Sequence, residues 1–406
     1  MIDFLINYQY NSVMHKKLIL PVLLTNLLLL SSLSQPLKNV GIAKYAVLEV
    51  KEDNCPIREK DNESAKRLTH LYKNAILFAD KQNDKYYRVE LKDNDYAFVN
   101  KKFVEVQAII PEKRIQNIEN ISFKETKNEY QLKFELPEFS AFIFKENGKK
   151  LSFTLFDNRF DPTEIQVPDL IDKFSLPRKI DNNFELEYKN DKLLFGYGVE
   201  KYEKGYVLSV KKPPKINPKK PLKNIKIVVD PGHGGVEKGA CAFDLEEKTI
   251  NLEISKKLRN ELKKRGAKVF LTRTKDKQVG LYERTAFARE KEADILISIH
   301  QNSLPDRRDI VKKYGTGTYY YHPSAKPLAE AIKNNLVLAT DFRDDGVNYA
   351  SFVLNRPTLP VSVLVECGYI IRKEEAERLV DKKFQKIIAK AITKGIEDYL
   401  TENFAE

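Results

Sequence analysis

The sequence is poor in the residues that build covalent or metal-rich frameworks. Its 406 residues include three cysteines, five histidines and no tryptophan. A sparse, odd set of cysteines, Cys55, Cys241 and Cys367, excludes a disulfide scaffold. Hydrophobic residues make up 42% of the chain, which is enough for sizeable cores. We therefore expect packing to stabilise this chain, which is long enough for two or three domains.

The chain also lacks an apolar run long enough to cross a membrane comfortably, which takes about 20 residues. Its most apolar stretch, Leu18–Leu30, has about 13 residues, follows Lys16-Lys17 and precedes Ser31–Ser34. This order is typical of a secretory signal peptide. We predict that residues 1–34 are removed on export, with Met14 as the true start. An uncleaved N-terminal anchor is the alternative.

Negative charge is in deficit, and the formal net charge is +12. Lysine and arginine are spread along the whole chain, so the excess is not a basic tail. Anionic wall polymers, membrane surfaces and nucleic acids are the partners that such a charge attracts. The sequence has no helix-turn-helix or finger motif, and with the signal peptide this argues against a nucleic-acid partner.

The first half of the predicted mature chain indicates two small all-β domains, 42–107 and 108–210. Alternating runs such as Tyr45–Val50 and Tyr130–Leu136 are separated by polar turns. Proline and lysine then dominate 211–224, which we predict to be a solvated linker. No motif identifies a ligand for 108–210, so it is treated as an accessory β domain.

Three segments of 42–107 resemble bacterial SH3 domains: Asn54–Glu59, Tyr86–Val89 and Tyr96–Val99. The tryptophan that usually precedes the second of these segments in that family is missing here. The resemblance implies either binding of wall peptides or glycans, or a spacer role.

From residue 225 to 404, strands and helices alternate. This pattern predicts an α/β domain with a mostly parallel sheet flanked by helices. The β-branched strand Ile225–Val229 ends at Asp230-Pro231, and glycines then surround His233. A second apolar strand ends at His300. Ligands of open α/β sheets bind at the carboxyl ends of strands, so both histidines are candidates for a site. An incidental turn histidine is the alternative for each.

Two carboxylates accompany these histidines. Glu247 opens a helix, and Glu366 directly follows the apolar run Val361–Val365. Two imidazoles and one carboxylate would give zinc three ligands and leave a position for water. A further carboxylate near that water could act as general base.

Four motifs occur in the order found in zinc-dependent N-acetylmuramoyl-L-alanine amidases of the amidase 3 type, over about residues 225 to 402. They are Asp230–Gly235, Glu247-Lys248, Ser298–Asn302 and Val363–Tyr369. The resemblance implies that His233, Glu247 and His300 bind Zn²⁺ and that Glu366 is the catalytic base. It also implies cleavage of the amide between muramic acid and L-alanine of peptidoglycan, in wall remodelling or daughter-cell separation. The adjacent Glu246 is the alternative to Glu247.

Some residues around these motifs leave choices open. Arg273 and Arg284 match family positions and are predicted to bind substrate carboxylates, with an ion pair inside the domain as the alternative. Asn302 is a third candidate for substrate binding. Gln301 and Arg372 depart from the family pattern, and His322 is predicted to be a surface residue.

The alternative function is a binding protein that keeps the fold but has lost turnover. Such a protein would lack a metal ligand, whereas all four key residues are present here. A protein activator is a further predicted partner.

Overall fold

The computed structural model describes residues 37–39, 44–92, 95–161, 172–175, 182–304 and 313–405. The predicted signal peptide lies outside these residues. Among the described helices, none combines the length and the apolar character that a membrane span requires.

The N-terminal part forms one antiparallel sheet of eight strands in the order β4-β3-β7-β6-β5-β2-β8, with β1 paired to β5. The strands are β1 (Lys38–Asn39), β2 (Tyr45–Val50), β3 (Cys55–Arg58), β4 (Arg67–Leu71), β5 (Ile76–Gln82), β6 (Tyr86–Lys92), β7 (Asp95–Asn100) and β8 (Val104–Ile110). A short 3-10 turn, Lys101–Phe103, joins the last two. The SH3-like nature of this part stays a prediction.

The middle part contains two four-stranded antiparallel sheets, β10-β11-β18-β17 and β12-β13-β16-β15, and a short parallel pair, β9 with β14. Its strands are β9 (Gln116–Asn117), β10 (Asn120–Glu125), β11 (Glu129–Glu135), β12 (Phe142–Glu146), β13 (Lys150–Phe156), β14 (Asn158–Arg159), β15 (Phe174–Ser175), β16 (Asn183–Lys189), β17 (Tyr197–Tyr202) and β18 (Gly205–Lys211). Alternate residues of β11 are buried, and Phe134 meets Phe153 of the other sheet at 5.6 Å between ring centroids. Two sheets packed through such inner faces form a sandwich.

The two β parts share one continuous hydrophobic core. Tyr72 of the first part lies 6.3 Å from Phe142 of the second, and its hydroxyl donates to Val199 O at 2.5 Å. Because buried aromatic contacts join them, the two parts pack against each other and are not strung out along the chain.

The C-terminal part is an α/β domain whose six-stranded sheet has the order β22-β19-β23-β26-β24-β25. The strands of the domain are β19 (Lys226–Pro231), β20 (Cys241–Ala242), β21 (Leu245–Glu246), β22 (Lys268–Leu271), β23 (Ile295–Asn302), β24 (Thr316–Tyr320), β25 (Asp344–Tyr349) and β26 (Val361–Tyr369). Strands β20 and β21 form a separate antiparallel pair. Its helices are α1 (Glu247–Lys264), α2 (Leu281–Glu290), α3 (Lys326–Thr340), α4 (Lys373–Val380) and α5 (Lys382–Phe404). A 3-10 turn, Pro323–Ala325, precedes α3. All pairs in this sheet are parallel except β24 with β26.

The sheet has a different cover on each face. Helices α1, α3 and α5 pack on one face and contribute Ile254, Ile332 and Ile392 to the main core. Helix α2 packs on the other face, where Ala288 meets Val228 and Leu296. Because β19, β23 and β26 run parallel and adjacent, their carboxyl ends meet at one edge of the sheet.

Three sequence-based predictions need correction. The sequence predicts one long helical stretch over residues 374–401. The structure has two helices there, because Asp381 adopts an extended conformation and caps α5 by accepting a hydrogen bond from Phe384 N at 2.7 Å. The segment 211–224 is not simply solvated, since Ile216 and Leu222 are buried in the core of the α/β domain. His322 is half-buried, and its Nε2 lies 2.7 Å from Arg356 O.

Candidate metal centre

The loop that carries His233 is anchored by a buried carboxylate at the end of β19. Asp230 Oδ1 lies 2.7 Å from Arg284 Nη1, and Asp230 Oδ2 accepts a hydrogen bond from Ser298 Oγ at 2.8 Å. Burial alone would raise the pKa of Asp230, but the Arg284 guanidinium and the hydroxyls of Thr272 and Ser298 hold it below its usual value. The ionised Asp230 therefore joins three neighbouring elements behind the loop.

Arg273 and Arg284 hold the backbone of the same loop, and each is 1% exposed. Arg273 donates to Pro231 O and Gly232 O, both at 2.9 Å, and Arg284 donates to His233 O at 2.9 Å. Neither guanidinium is available at the surface to bind a substrate carboxylate. For Arg284 the structure matches the alternative interpretation, an ion pair inside the domain.

Two glycines make room for the candidate ligands. A Cβ at Gly232 would lie 2.3 Å from His300 Nε2, and a Cβ at Gly239 would lie 2.4 Å from Glu247 Oε2 and 2.6 Å from the His233 ring. Any side chain at either position would displace the imidazoles or the carboxylate. His233 itself has a positive φ of 59°, a strained backbone conformation of the kind that is found at functional sites.

His233, Glu247 and His300 converge at the carboxyl edge of the sheet. Glu247 Oε1 lies 2.9 Å from His300 Nδ1, and Glu247 Oε2 lies 3.1 Å from His233 Nε2. One ligand atom from each of the three residues lies within 4.8 Å of the others. The donor set of two imidazoles and one carboxylate is the type that binds catalytic zinc, so these residues fit the predicted metal.

Two backbone N–H groups and one amide side chain orient Glu247. Ala240 N donates to Oε2 at 2.9 Å, while Gln301 N and Asn251 Nδ2 donate to Oε1 at 3.1 and 3.0 Å. Burial raises the pKa of this carboxyl, but the facing His233 and His300 outweigh burial and hold it well below its usual range. Glu247 is thus held as an ionised, fixed acceptor, the state that a metal ligand requires.

Glu246 is turned away from this site. Its carboxylate lies 2.6 Å from Lys238 Nζ and 3.3 Å from Lys248 Nζ and is partly exposed. Of the two adjacent glutamates, the structure brings only Glu247 to the histidines.

Gln301 was noted from the sequence only as a departure from the family pattern. In the structure it is buried, and its Nε2 donates to Asn251 Oδ1 at 3.1 Å. Together with its backbone contact to Glu247, this makes Gln301 part of the support for the carboxylate. Sequence periodicity could not show this contact, because Gln301 and Asn251 lie 50 residues apart.

Glu366 lies on β26 directly opposite His300 of β23. Its Oε2 is buried and has no hydrogen-bond partner among the described residues. Burial, followed by the charges of Glu247 and Asp345, raises the pKa of Glu366 well above its usual value. Asn302, two residues beyond His300, is half-buried and accepts a hydrogen bond from Ser303 N at 2.8 Å.

Comparison with known proteins adds the identity of the domain. The family model of N-acetylmuramoyl-L-alanine amidase (Amidase_3) matches residues 227–398. The sporulation-specific N-acetylmuramoyl-L-alanine amidase of Bacillus subtilis is 34% identical over 180 residues, which is 43% of this chain and 67% of that protein. The chain belongs to this amidase family. It is a peptidoglycan hydrolase of cell-wall turnover, which confirms the function predicted from the four motifs.

Other relatives match a similar share of the amidase. The uncharacterized protein YqiI of Bacillus subtilis is 34% identical over 183 residues, or 44% of this chain and 86% of that protein. The solved structure of the amidase AmiC2 of Nostoc punctiforme is 36% identical, covers 44% of this chain and 97% of that chain, and has a TM-score of 0.41. The family model begins at Ile227, so it leaves the two β parts of the amidase outside the match.

Proposed function

We propose that the amidase is zinc-dependent, that His233, Glu247 and His300 hold the metal, and that Glu366 is the catalytic base. The bond cleaved is the amide between N-acetylmuramic acid and L-alanine of the stem peptide. Bound zinc would polarise the scissile carbonyl and lower the pKa of water to about 7.

The observation that carries this proposal is the convergence of three ligand atoms within 4.8 Å at the carboxyl edge of the sheet. Three protein ligands leave one tetrahedral position open, as catalytic zinc sites require. The fixed carboxylate of Glu247 and the space provided by Gly232 and Gly239 further support it.

Glu366 has the properties of a group that moves protons. Burial, followed by the charges of Glu247 and Asp345, raises its pKa well above the usual value, which makes its carboxylate a stronger base. We assign it to take a proton from the attacking water and to deliver that proton to the leaving amine of L-alanine. Its unpaired Oε2 is free for the first of these contacts.

The residues around the centre divide into two groups. Arg273 and Arg284 act as positioning residues, because they fix the loop of His233 and do not reach the surface. Asn302 is half-buried beyond His300, so we keep it as the candidate that contacts substrate.

Peptidoglycan lies outside the cytoplasm, so this function requires export. We propose that residues 1–34 are a cleaved signal, with 42–107 an SH3-like domain and 108–210 an accessory domain that contacts the wall.

N-terminal sequencing of the secreted protein tests the cleavage, and the sequence should begin near Gln35. A mature chain that still carries Leu18–Leu30 would favour the anchor. Anionic wall polymers and a protein activator stay predicted partners.

Digestion of purified peptidoglycan followed by mass spectrometry tests the reaction. We expect stem peptides with a free L-alanine amine and glycan strands of unchanged length, because only the lactyl amide is cut. A chelator should abolish the products and added zinc should restore them. Cleavage within the glycan or the peptide, or products that persist in chelator, would contradict the proposal.

A further inference from the structure

A large cleft lies where the three parts of the chain meet. Its volume is ≈ 1820 Å³, and its walls come from the N-terminal sheet, the β sandwich and the α/β domain. Small-molecule sites usually measure about 300–1,000 Å³, so this cleft has room for an oligomer. Lys226, Asp294 and Pro360 line it at the amino ends of β19, β23 and β26. The metal centre occupies the opposite edge of the sheet, so the cleft is a separate site.

Tyrosines provide flat surfaces inside this cleft. Tyr349 is 50% exposed and stacks on Tyr321, with 5.5 Å between ring centroids and 24° between ring planes. Tyr320 packs edge-on against Tyr349 at 6.0 Å, and the Tyr321 hydroxyl donates to Arg67 O at 2.6 Å. These contacts fix the ring of Tyr349 with one side accessible. A fixed, accessible aromatic ring suits the apolar face of a sugar ring.

Helix α2 contributes a second aromatic surface. Tyr282, Thr285, Ala286 and Arg289 line the cleft at helical spacing, and Tyr282 is 62% exposed. The opposite side of the same helix carries Arg284, which holds His233 O. The cleft therefore extends along α2 toward the helix end that adjoins the catalytic loop.

Basic side chains gather between these aromatic surfaces. Arg67, His70 and Arg356 all line the cleft, and Arg67 Nη1 lies 3.3 Å from His70 Nε2. Burial, and then the neighbouring charge of Arg67, lower the pKa of Arg356 to about 10. Positive charge that is gathered in a confined space favours an anion between these side chains.

The hydrogen-bond acceptors of Arg356 are neutral. Arg356 donates to Ser351 Oγ at 3.0 Å and to Ser351 O at 2.7 Å. Carboxylates also occur in the cleft wall, but several already have partners. Glu146 accepts from Ser324 Oγ at 3.2 Å, and Asp294 and Glu292 pair with Lys211 and Lys226, both at 2.5 Å. The charge of Arg356 is therefore left for a ligand.

We propose that this cleft binds the glycan strand after its stem peptides have been removed. Sugar rings would lie on Tyr349 and Tyr282, and a carboxylate of the glycan would face Arg356. The proposal rests on the proposed function, because that reaction creates the carboxylates. Hydrolysis adds water across the lactyl amide and leaves a carboxylate on muramic acid and an ammonium on L-alanine. An uncut strand carries no such carboxylate on its sugars, so the cleft would retain the enzyme on strands it has already cut.

Isothermal titration calorimetry with the full-length mature chain tests this site. The probe is a stem-free hexasaccharide of alternating N-acetylglucosamine and N-acetylmuramic acid. We expect Tyr349→Ala and Tyr282→Ala each to weaken its binding about five- to tenfold, since an aromatic contact is lost. Tyr87→Ala removes a half-buried tyrosine outside the cleft, where Lys101 lies over its ring, and should bind like wild type. Unchanged affinity in both cleft variants would overturn the proposal.

Two further probes separate the ring and charge contributions. The neutral N-acetylglucosamine hexamer has the same rings without carboxylates and should bind at least about tenfold more weakly. Poly(glycerol phosphate) has anionic groups without rings and should also bind more weakly. Equal or tighter binding of either one would refute recognition of a cut glycan. A chelator should leave binding of the hexasaccharide unchanged, so failure of the zinc proposal and failure of this one give different results.

Discussion

His300 and Glu366 lie opposite each other on the adjacent parallel strands β23 and β26. Residues in register on parallel neighbours point to the same side of the sheet. This relationship brings a candidate zinc ligand and the candidate base to one edge although 66 positions separate them in the numbering. The proposed roles of the two residues, zinc ligand and catalytic base, can be tested separately.

The adjacent glutamates offer a matched test of the metal ligands. We expect Glu247→Gln to lose most of the bound zinc, because the neutral amide cannot replace a carboxylate ligand between His233 and His300. Glu246→Gln should keep about one zinc per chain, since Glu246 is paired with Lys238 and Lys248. Metal analysis of the purified proteins measures both. Loss of zinc from Glu246→Gln alone would show that the assignment is off by one residue.

Glu366→Gln separates proton transfer from metal binding. The amide keeps the shape of the side chain but cannot accept a proton at neutral pH. We expect zinc to stay at the wild-type level and turnover of peptidoglycan to fall by about 10²–10⁴-fold, the usual contribution of general acid–base catalysis. The exposed Glu374→Gln serves as a control with normal activity. A Glu366→Gln protein that loses its zinc would instead be missing a ligand.

The buried pair of Arg284 and Asp230 predicts a stability effect. Arg284→Leu leaves the Asp230 carboxylate uncompensated in the core, so the free energy of unfolding should fall by about 3–5 kcal/mol. Arg289→Leu, on the exposed side of the same helix, should change it by less than about 0.5 kcal/mol. Urea denaturation measures both, and adding Asp230→Asn to Arg284→Leu should recover part of the loss. If stability is unchanged and only the KM for substrate rises, Arg284 binds substrate after all.

His70 predicts how stability depends on pH. Burial and the charges of Arg67, Arg356, Arg58 and His322 lower its pKa from 6.5 to about 3. The unfolded chain therefore binds a proton between these values that the folded chain does not, so acidification below pH 6.5 favours unfolding. This residue should contribute a loss of about 1.4 kcal/mol per pH unit between pH 6 and pH 4.

The measurement is urea denaturation of wild type and His70→Asn at several pH values. As the pH falls from 6.5 toward 4, the free energy of unfolding of the wild type should fall relative to that of His70→Asn. Parallel curves would mean that His70 titrates normally in the folded protein.

The sequence alone determined much of the α/β domain. The sequence predicts that Glu247 opens a helix, and α1 begins there, because apolar residues at helical spacing are a local signal that one buried face enforces. Strands β19 and β23, which precede His233 and carry His300, were predicted because short apolar runs are a local signal of buried strands. Strand β25 was not predicted, since Asp344–Tyr349 alternates weakly and pairs only through β24. The family was also identified from sequence, because its four motifs lie at the ends of these elements.

Tertiary structure decided which polar groups meet. Only the fold shows that Glu247, rather than Glu246, faces the histidines, because the direction of each side chain follows from the start of α1. Only the fold buries Arg273 and Arg284 behind the catalytic loop, and only the fold assembles the cleft from Tyr282, Tyr349 and Arg356. These contacts join residues far apart in the chain. Their geometry depends on packing between elements, which no local pattern of residues records.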